Sequence, residues 1–171
     1  MPTRFRVTPD RKISGQGLTF QCAIGRGGML DADRKVEGDG ASPIGLWAVK
    51  RVFWRADKFD RPRTALPATP LHPDDGWCDA PGDPLYNCAV KRPYPASHEV
   101  MWRDDDLYDI VVQLSHNTDP VVPGKGSAIF MHVAKTDYAP TEGCIALSLD
   151  DLRQLLARCE KDTKIEILRA S

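Results

Sequence analysis

The sequence predicts a single, mainly β domain with few helices, and three observations support this fold class. Short apolar stretches recur through the first third of the chain and are separated by Gly- and Pro-containing turns, a pattern typical of strands. The segment 127–133 places alternate residues on two faces, as a buried strand does. Leucines at helical spacing follow position 148.

The predicted elements are strands separated by turns, with one helix near the end of the chain. Strands are predicted over residues 5–7, 17–24, 46–54, 107–114, 127–133 and about 164–168. The segment 37–45 is a predicted turn, because its three glycines allow left-handed backbone. Ser148 is expected to cap a helix with acidic residues in its first turn, and Cys159 lies at the end of its apolar stripe. The predicted helix therefore packs its leucines and Cys159 against the core.

One strand has a clear division between two faces. Within 127–133, one face carries Ala128, Phe130 and His132, and the other carries Ile129, Met131 and Val133. A polar histidine at the end of such an apolar strand is a candidate functional residue.

The segment 61–95 is predicted to be a long irregular excursion of the single domain that spans residues 1–171. It carries many of the 14 prolines, and a loop of this length in a compact domain is usually functional. Trp77 and Tyr86 are suited to forming the wall of a pocket. They could equally pack the excursion onto the sheet, and the sequence does not decide between these two roles.

Charge and composition exclude several classes of function. The net charge is −1, from 23 basic and 24 acidic side chains, so no basic surface for nucleic acid or an anionic membrane is indicated. No apolar run is long enough to span a bilayer. The N-terminus lacks the pattern of a secretion signal, which predicts a cytoplasmic protein, or a periplasmic one if a leader has been removed.

The five cysteines are dispersed and odd in number, which does not indicate a disulfide framework. Cys78 and Cys88 could pair within one loop, but a reduced pair is expected in the cytoplasm. No C-x-x-C pair is present and the four histidines are scattered, so neither a metal site nor a zinc-stabilised binding domain is favoured.

His132 and Cys144 form the candidate catalytic pair. A free thiol is only slightly ionised at neutral pH, and a nearby imidazole can take its proton and make the sulfur nucleophilic. Gly143 lets the backbone approach the reacting centre closely, and the N–H groups of Gly143 and Cys144 are candidate donors to an oxyanion. Many proteins contain a His and a Cys a dozen residues apart, so this spacing suggests a catalytic pair but does not identify one.

Two motifs resemble those of the YkuD-type L,D-transpeptidase family. The first is His132 followed, after a spacer, by Thr141-Glu142-Gly143-Cys144-Ile145. The second is Ser42-Pro43-Ile44-Gly45-Leu46-Trp47, which resembles that family's Thr-Pro-x-Gly-x-Phe turn and strand. The resemblance implies an L,D-transpeptidase-like β-sandwich or barrel. It also implies that Cys144 is the nucleophile, that His132 is the base, and that the Val133 carbonyl orients the imidazole.

The activity that the resemblance implies is cleavage of the diaminopimelate–D-alanine bond of a peptidoglycan stem peptide through a thioester. No cofactor is implied, because the thiolate and imidazole complete this chemistry. The favoured interpretation is a cytoplasmic L,D-carboxypeptidase of cell-wall recycling that acts on tetrapeptides. A crosslinking L,D-transpeptidase and an inactive cell-wall-binding module are the alternatives, and the oligomeric state is not indicated.

The sequence departs from the family pattern at three points. Glu142 stands where the family has a second histidine, Ala146 stands where it commonly has arginine, and the spacer from His132 to Cys144 is short. An inward-pointing Glu142 would raise the pKa of the thiol, whereas one paired with a cation or with His116 would not.

Five residues are candidates for binding substrate: Glu142, Thr141, His116, Tyr138 and Trp77. His116 could supply the polar contact that position 142 no longer gives. A histidine at a strand end is also commonly a capping or surface residue, and this alternative stays open.

Overall fold

A computed structural model describes all residues from 1 to 171, and it confirms the mainly β prediction. Thirteen strands and one helix make up the fold. The strands are β1 Arg4–Thr8, β2 Lys12–Gly15, β3 Leu18–Gln21, β4 Met29–Asp31, β5 Ser42–Trp54, β6 Ala68–Pro70, β7 Asp75–Cys78, β8 Ala89–Lys91, β9 His98–Val100, β10 Ile110–Leu114, β11 Phe130–Val133, β12 Ile145–Leu147 and β13 Lys164–Ile167. The helix is α1, Leu149–Leu156.

Ten strands form one sheet that curls toward a barrel. The order along the sheet is β12-β11-β10-β5-β13-β1-β2-β3, and β4 and β6 pair with β5 beside this path. Just beyond β3, Ala23 exchanges two backbone hydrogen bonds with Ala146 of β12, at 2.8 and 3.0 Å. Because β3 and β12 are the two ends of the order, these bonds join the ends and reduce the exposed sheet edge.

The two faces of β11 separate the main core from the cavity side, as the alternation predicts. Ile129, Met131 and Val133 belong to the main core, with the apolar residues of α1 and β13. Phe130 belongs to a second, smaller apolar cluster that also contains Ala128 and Cys144. Strand β11 therefore divides the interior into a structural core and the lining of a site.

The end of the chain folds as its sequence predicts. The Ser148 side chain accepts a hydrogen bond from the Asp151 N–H at 3.2 Å and so caps α1. Cys159 is buried in the main core. The helix is short, and no helix of the structure has the length and apolar character needed to cross a membrane.

The prediction of an irregular excursion over 61–95 was wrong in part. This segment contains β6, β7 and β8, and the last two form a separate antiparallel sheet with β9, in the order β8-β7-β9. We call this three-stranded sheet the cap sheet. Its strands have only three or four residues each, and the segments that connect them contain Pro, Asp and Gly. The strand sequences are therefore too short to show a strand period. The predicted turn over 37–45 likewise ends earlier, because β5 begins at Ser42.

Candidate active site

A cavity of about 410 Å³ lies between the barrel-like sheet and the cap sheet. Its lining includes Cys144 and His132, together with Thr141 and Glu142. The cap sheet and the segment after it contribute Asp79, Glu99 and Arg103 to the same lining. The predicted nucleophile and base thus share one cavity whose walls come from both sheets.

A tight turn carries Cys144 into this cavity. Gly143 has a φ of +131°, and a Cβ there would lie 2.8 Å from the Ala41 carbonyl oxygen, so the position requires glycine. The Ser42 hydroxyl donates to the Gly143 carbonyl at 2.8 Å and accepts from the Gly25 N–H at 2.9 Å. Ser42 of the upstream motif therefore holds the turn that presents the nucleophile.

Thr141 also supports this turn from within. Its hydroxyl donates to the Cys144 carbonyl at 2.6 Å and accepts from the Gly143 N–H at 3.1 Å. The prediction that the N–H groups of Gly143 and Cys144 both donate to the oxyanion therefore needs correction, because the Gly143 N–H already donates to the Thr141 hydroxyl. The Cys144 N–H is the backbone donor left beside the thiol. Thr141 lines the cavity as predicted, but its hydroxyl positions the nucleophile.

The Cys144 thiol is buried in an environment that disfavours its ionised form. Burial, and after it the negative charge of Glu99, raise the pKa of the Cys144 thiol to about 12. The thiol donates to the Ala128 carbonyl at 3.2 Å, and the Phe130 N–H donates to the sulfur at 3.4 Å. The amide of Phe130 favours the thiolate, so it partly opposes the effects of burial and of Glu99.

His132 is neutral and held in one tautomer. Burial lowers the pKa of His132 to about 4, against the opposing effect of its hydrogen bond to the Val133 carbonyl. That bond joins Nδ1 to the Val133 oxygen at 2.9 Å, as the resemblance implied. A neutral imidazole that donates through Nδ1 carries its lone pair on Nε2. His132 therefore has a free basic nitrogen at neutral pH.

Glu142 points away from the thiol and pairs with a cation. Both of its carboxylate oxygens lie 2.9 Å from Nε of Arg26, whose guanidinium also donates to the Gly38 carbonyl at 3.2 Å. Glu142 is absent from the charges that raise the Cys144 pKa. The substitution of the family histidine by Glu142 thus builds an ion pair at the cavity rim.

Three predicted substrate-binding residues do not line the cavity. His116 is buried, with Nε2 3.0 Å from the Lys125 carbonyl oxygen and its ring against Trp47. Tyr138 lines a different surface depression, beside Phe59. Trp77 packs edge-on against Phe130 at 5.0 Å between ring centroids. The structure therefore does not bring these three side chains into the cavity with Cys144, because each is engaged in packing or faces a separate depression.

Trp77 attaches the cap sheet to the barrel-like sheet through Asn87. The Trp77 indole N–H donates to Asn87 Oδ1 at 3.0 Å, and the Ala128 N–H donates to the same oxygen at 2.9 Å. Tyr86 makes a parallel connection: its hydroxyl accepts from the Gly126 N–H at 3.0 Å and donates to Glu37 at 2.8 Å. Both aromatic residues therefore hold the cap sheet against the barrel-like sheet. Of the two roles that the sequence left open, forming a pocket wall or packing the excursion onto the sheet, the structure shows the second.

The wall of the cavity opposite Cys144 carries charged residues, Glu99 and Arg103, that were not predicted from the sequence. The Tyr108 hydroxyl donates to Glu99 at 3.1 Å, and the Tyr108 ring lies between the rings of His132 and Phe130, at 5.4 and 6.2 Å. Arg103 lies over the Tyr108 ring at 5.3 Å and is held by Asp105 through two hydrogen bonds of 2.8 and 2.6 Å. No local motif marks these residues, since they reach the cavity only through packing of the cap sheet.

Comparison with known proteins gives one family. The sequence model of the YkuD family, described as the L,D-transpeptidase catalytic domain, matches residues 5–167. No curated protein matches the chain.

Three solved structures are similar to this chain. Mycobacterium tuberculosis L,D-transpeptidase 1 is 13% identical, with a TM-score of 0.45 and coverage of 98% of this chain and 59% of that one. An L,D-transpeptidase from Mycobacterium smegmatis is 13% identical, with a TM-score of 0.46 and coverage of 98% and 58%. The LD transpeptidase LdtMt1 in complex with imipenem is 14% identical, with a TM-score of 0.44 and coverage of 97% and 58%. This chain thus spans less than two thirds of the length of each of those chains.

Proposed function

The chain belongs to the YkuD family of L,D-transpeptidase catalytic domains, and from that membership we propose that it is a cysteine acyl-transfer enzyme acting on peptidoglycan stem peptides. The bond cleaved is the one between the L-centre of diaminopimelate and D-alanine. The observation that supports this most directly is the cavity in which Cys144 lies with a neutral, single-tautomer His132.

The first half-reaction forms a thioester. Nε2 of His132 takes the thiol proton, the Cys144 sulfur attacks the carbonyl carbon, and the Cys144 N–H donates to the oxyanion. The C–N bond then breaks, and D-alanine leaves as an amine after taking the proton from the imidazolium. Burial favours the neutral forms of both the thiol and the imidazole before substrate binds, and in the proposed step proton transfer therefore accompanies attack.

Arg103 provides a cation in the cavity that Ala146 cannot provide. Both residues line the cavity, and the family commonly has arginine at the position of Ala146. Asp105 fixes the Arg103 guanidinium through a two-point hydrogen bond. We assign to Arg103 the binding of a substrate carboxylate.

The second half-reaction is proposed to be hydrolysis. Water attacks the thioester, releases a tripeptide and returns the thiol, so that the net reaction is tetrapeptide plus water to tripeptide plus D-alanine. The loop 134–143 is short and contributes Lys135, Ala139 and Pro140 to one wall of the cavity. In the proposed reaction, water reaches the thioester past this short loop. An amine in place of water would give exchange or a crosslink.

Mass spectrometry of tetrapeptide incubated with the protein tests this proposal, with and without an added D-amino acid. Loss of D-alanine to leave tripeptide is expected, with little exchange. Predominant exchange or crosslinking would establish a transpeptidase instead. If the tetrapeptide stays intact and Cys144 takes no adduct from imipenem, the inactive binding module becomes the better account.

The proposed recycling role also predicts the cellular compartment in which the protein is found. A carboxypeptidase of recycling meets free stem peptides in the cytoplasm, so the protein is expected in the cytoplasmic fraction of its cells. Recovery from the periplasm would favour the crosslinking activity.

A further inference from the structure

Two acidic residues, Glu99 on β9 and Asp79 directly after β7, line the cavity with Cys144. Strand β7 pairs with β9 so that Glu99 stands opposite Trp77. Asp79 is two residues beyond Trp77, so it projects on the same face and is a diagonal neighbour of Glu99. Both line the cavity.

Each of these carboxylates has a buried oxygen without a hydrogen-bond partner. The two atoms are Asp79 Oδ1 and Glu99 Oε2. The other oxygen of Glu99 accepts from Tyr108, so the carboxylate is held in a fixed orientation. Buried polar atoms are almost always paired in folded proteins, and an unpaired carboxylate oxygen in a ligand site indicates a partner that arrives from outside.

No basic side chain of the protein pairs with either residue. Arg103 forms its ion pair with Asp105, and Lys35 forms one with Asp39 at 2.6 Å. Burial, with smaller contributions from the negative charges of Asp79 and Glu37, raises the pKa of Glu99 to about 6, against the opposing effects of Tyr108 and Arg103. Asp79, Glu99 and Glu37 all line the cavity, so three carboxylates lie together on this side and favour a positively charged ligand.

A cation that donates hydrogen bonds satisfies unpaired carboxylate oxygens and also offsets their negative charge. No group of three or more His, Cys, Asp or Glu side chains is arranged to hold a metal ion. A primary ammonium group carries three N–H donors and a single positive charge, and it can bridge two carboxylates.

We propose that Asp79 and Glu99 form a subsite for a primary ammonium group of the substrate. This inference rests on the proposed function and identifies the group as the free amine of the diamino acid at the scissile bond. Arg103, fixed in the same cavity, takes the carboxylate of that diamino acid. The cap sheet thereby selects a zwitterionic side chain.

Binding at this subsite also activates the nucleophile. The Glu99 charge is the largest electrostatic contribution to the raised Cys144 pKa. An ammonium bound to Glu99 offsets that charge, so thiolate formation becomes easier when the correct substrate is present. The same carboxylate thus suppresses the thiolate in the free enzyme and promotes catalysis in the complex.

The test compares two tetrapeptides that differ only in whether the free amine of diaminopimelate is acetylated. Wild type, Glu99→Gln and Asp79→Asn are assayed, and Asp74→Asn is the matched control, because Asp74 begins the same region but pairs with Lys91 at the surface. We expect wild type to prefer the free-amine peptide by roughly 10- to 100-fold in kcat/KM. Glu99→Gln should lose most of that preference, and Asp74→Asn should keep it.

Equal losses on both peptides in Glu99→Gln would overturn the subsite and indicate that the two acids share a proton in a structural role. Equal cleavage of both peptides by wild type would also overturn it, while leaving the proposed function intact.

A measurement without turnover covers the case in which neither peptide is cleaved and the proposed function fails. The rate of Cys144 alkylation by iodoacetamide is followed against pH, with and without meso-diaminopimelate. The diamino acid should lower the apparent thiol pKa in wild type and leave that of Glu99→Gln unchanged. No shift in wild type would overturn the subsite.

Discussion

The two walls of the cavity are built in different ways. The wall that carries Cys144 and His132 belongs to β11, β12 and the turn between them, where all seven strand residues are buried and the strands form a regular ladder. The other wall belongs to the cap sheet, whose strands have three or four residues. The reacting groups therefore stand on the continuous core sheet, and the recognition charges stand on a small attached sheet.

This difference suggests a division of labour. A nucleophile and base must keep a fixed geometry, which a core strand supplies. A recognition wall can differ between relatives without disturbing the core, provided that it stays attached. Here the attachment consists of a few polar contacts through Asn87 and Tyr86 and the packing of Trp77 on Phe130. The first three predictions below test the core wall, the fourth tests the cap sheet, and the last tests the rim of the cavity.

Replacing the nucleophile should have the largest effect. Cys144→Ala is expected to lower turnover of the tetrapeptide by roughly 10⁴-fold or more, because no thioester can form. The matched control is Cys88→Ala, a partly exposed cysteine of the cap side. The measurement is release of D-alanine by each variant. A comparable loss in both variants would mean that cysteine substitution disturbs the fold and does not identify the nucleophile.

Replacing the base should reduce turnover while the protein stays folded. His132→Gln is expected to lower kcat by roughly 10²- to 10⁴-fold, because an amide nitrogen is not basic and cannot take the thiol proton. Steady-state kinetics above pH 6 measure this effect. A variant that keeps wild-type kcat would remove His132 from the mechanism.

The same variant has a predicted signature in stability against pH. The His132 pKa is about 4 in the folded protein, and an unfolded histidine has a pKa of about 6.5. The unfolded chain therefore binds the proton first, and stability is lost as pH falls from about 6.5 toward 4, by at most about 3 kcal/mol. The raised pKa of Glu99 acts in the opposite direction, so the informative quantity is wild type minus His132→Gln. If the difference in the free energy of unfolding between wild type and His132→Gln is the same at pH 7 and pH 5, the imidazole is not buried as described.

Detaching the cap sheet should lower stability and weaken substrate binding, with a smaller effect on turnover than loss of Cys144 or His132. Asn87→Ala leaves the N–H groups of Trp77 and Ala128 without their partner, which should lower the free energy of unfolding by about 2 to 4 kcal/mol. We expect KM for the tetrapeptide to rise more than kcat falls, because the recognition wall moves and the catalytic pair does not. A loss of kcat with no change in KM would mean that the two walls do not divide catalysis and substrate binding between them. Urea unfolding and steady-state kinetics supply both numbers.

The smallest effect is expected at the rim. Arg26→Gln and Glu142→Gln break an ion pair between exposed side chains, and exposed pairs contribute little to stability. Both variants should unfold at nearly the wild-type urea concentration and retain the wild-type pH profile of kcat/KM. A lowered thiol pKa in Glu142→Gln would show that Glu142 acts on Cys144 after all.

The division between the walls also separates what the sequence could predict from what it could not. The faces of β11 and the capped helix α1 were predicted, because each depends on a local period or a local hydrogen bond. Cys144 and His132 were found through a motif, and the structure brings them into one cavity.

The cap side was not predicted, because its strands are too short to show a period and its cavity residues come together only in the tertiary fold. Asp79, Glu99 and Arg103 carry no motif. His116 and Tyr138 were proposed for the site on their nearness along the chain, which does not determine which way a side chain faces. The engaged amide of Gly143 depends on the Thr141 hydroxyl, a contact that spacing alone does not reveal.

The most direct test of the account is detection of the acyl-enzyme itself. Wild-type protein is mixed with tetrapeptide and quenched in acid within one turnover, and its intact mass and peptide map are compared with those of Cys144→Ala. The account predicts a mass increase equal to the tripeptide acyl group on the peptide that contains Cys144, with none in the variant. Cleavage of tetrapeptide that continues in Cys144→Ala, or an acyl group found on another residue, would contradict it.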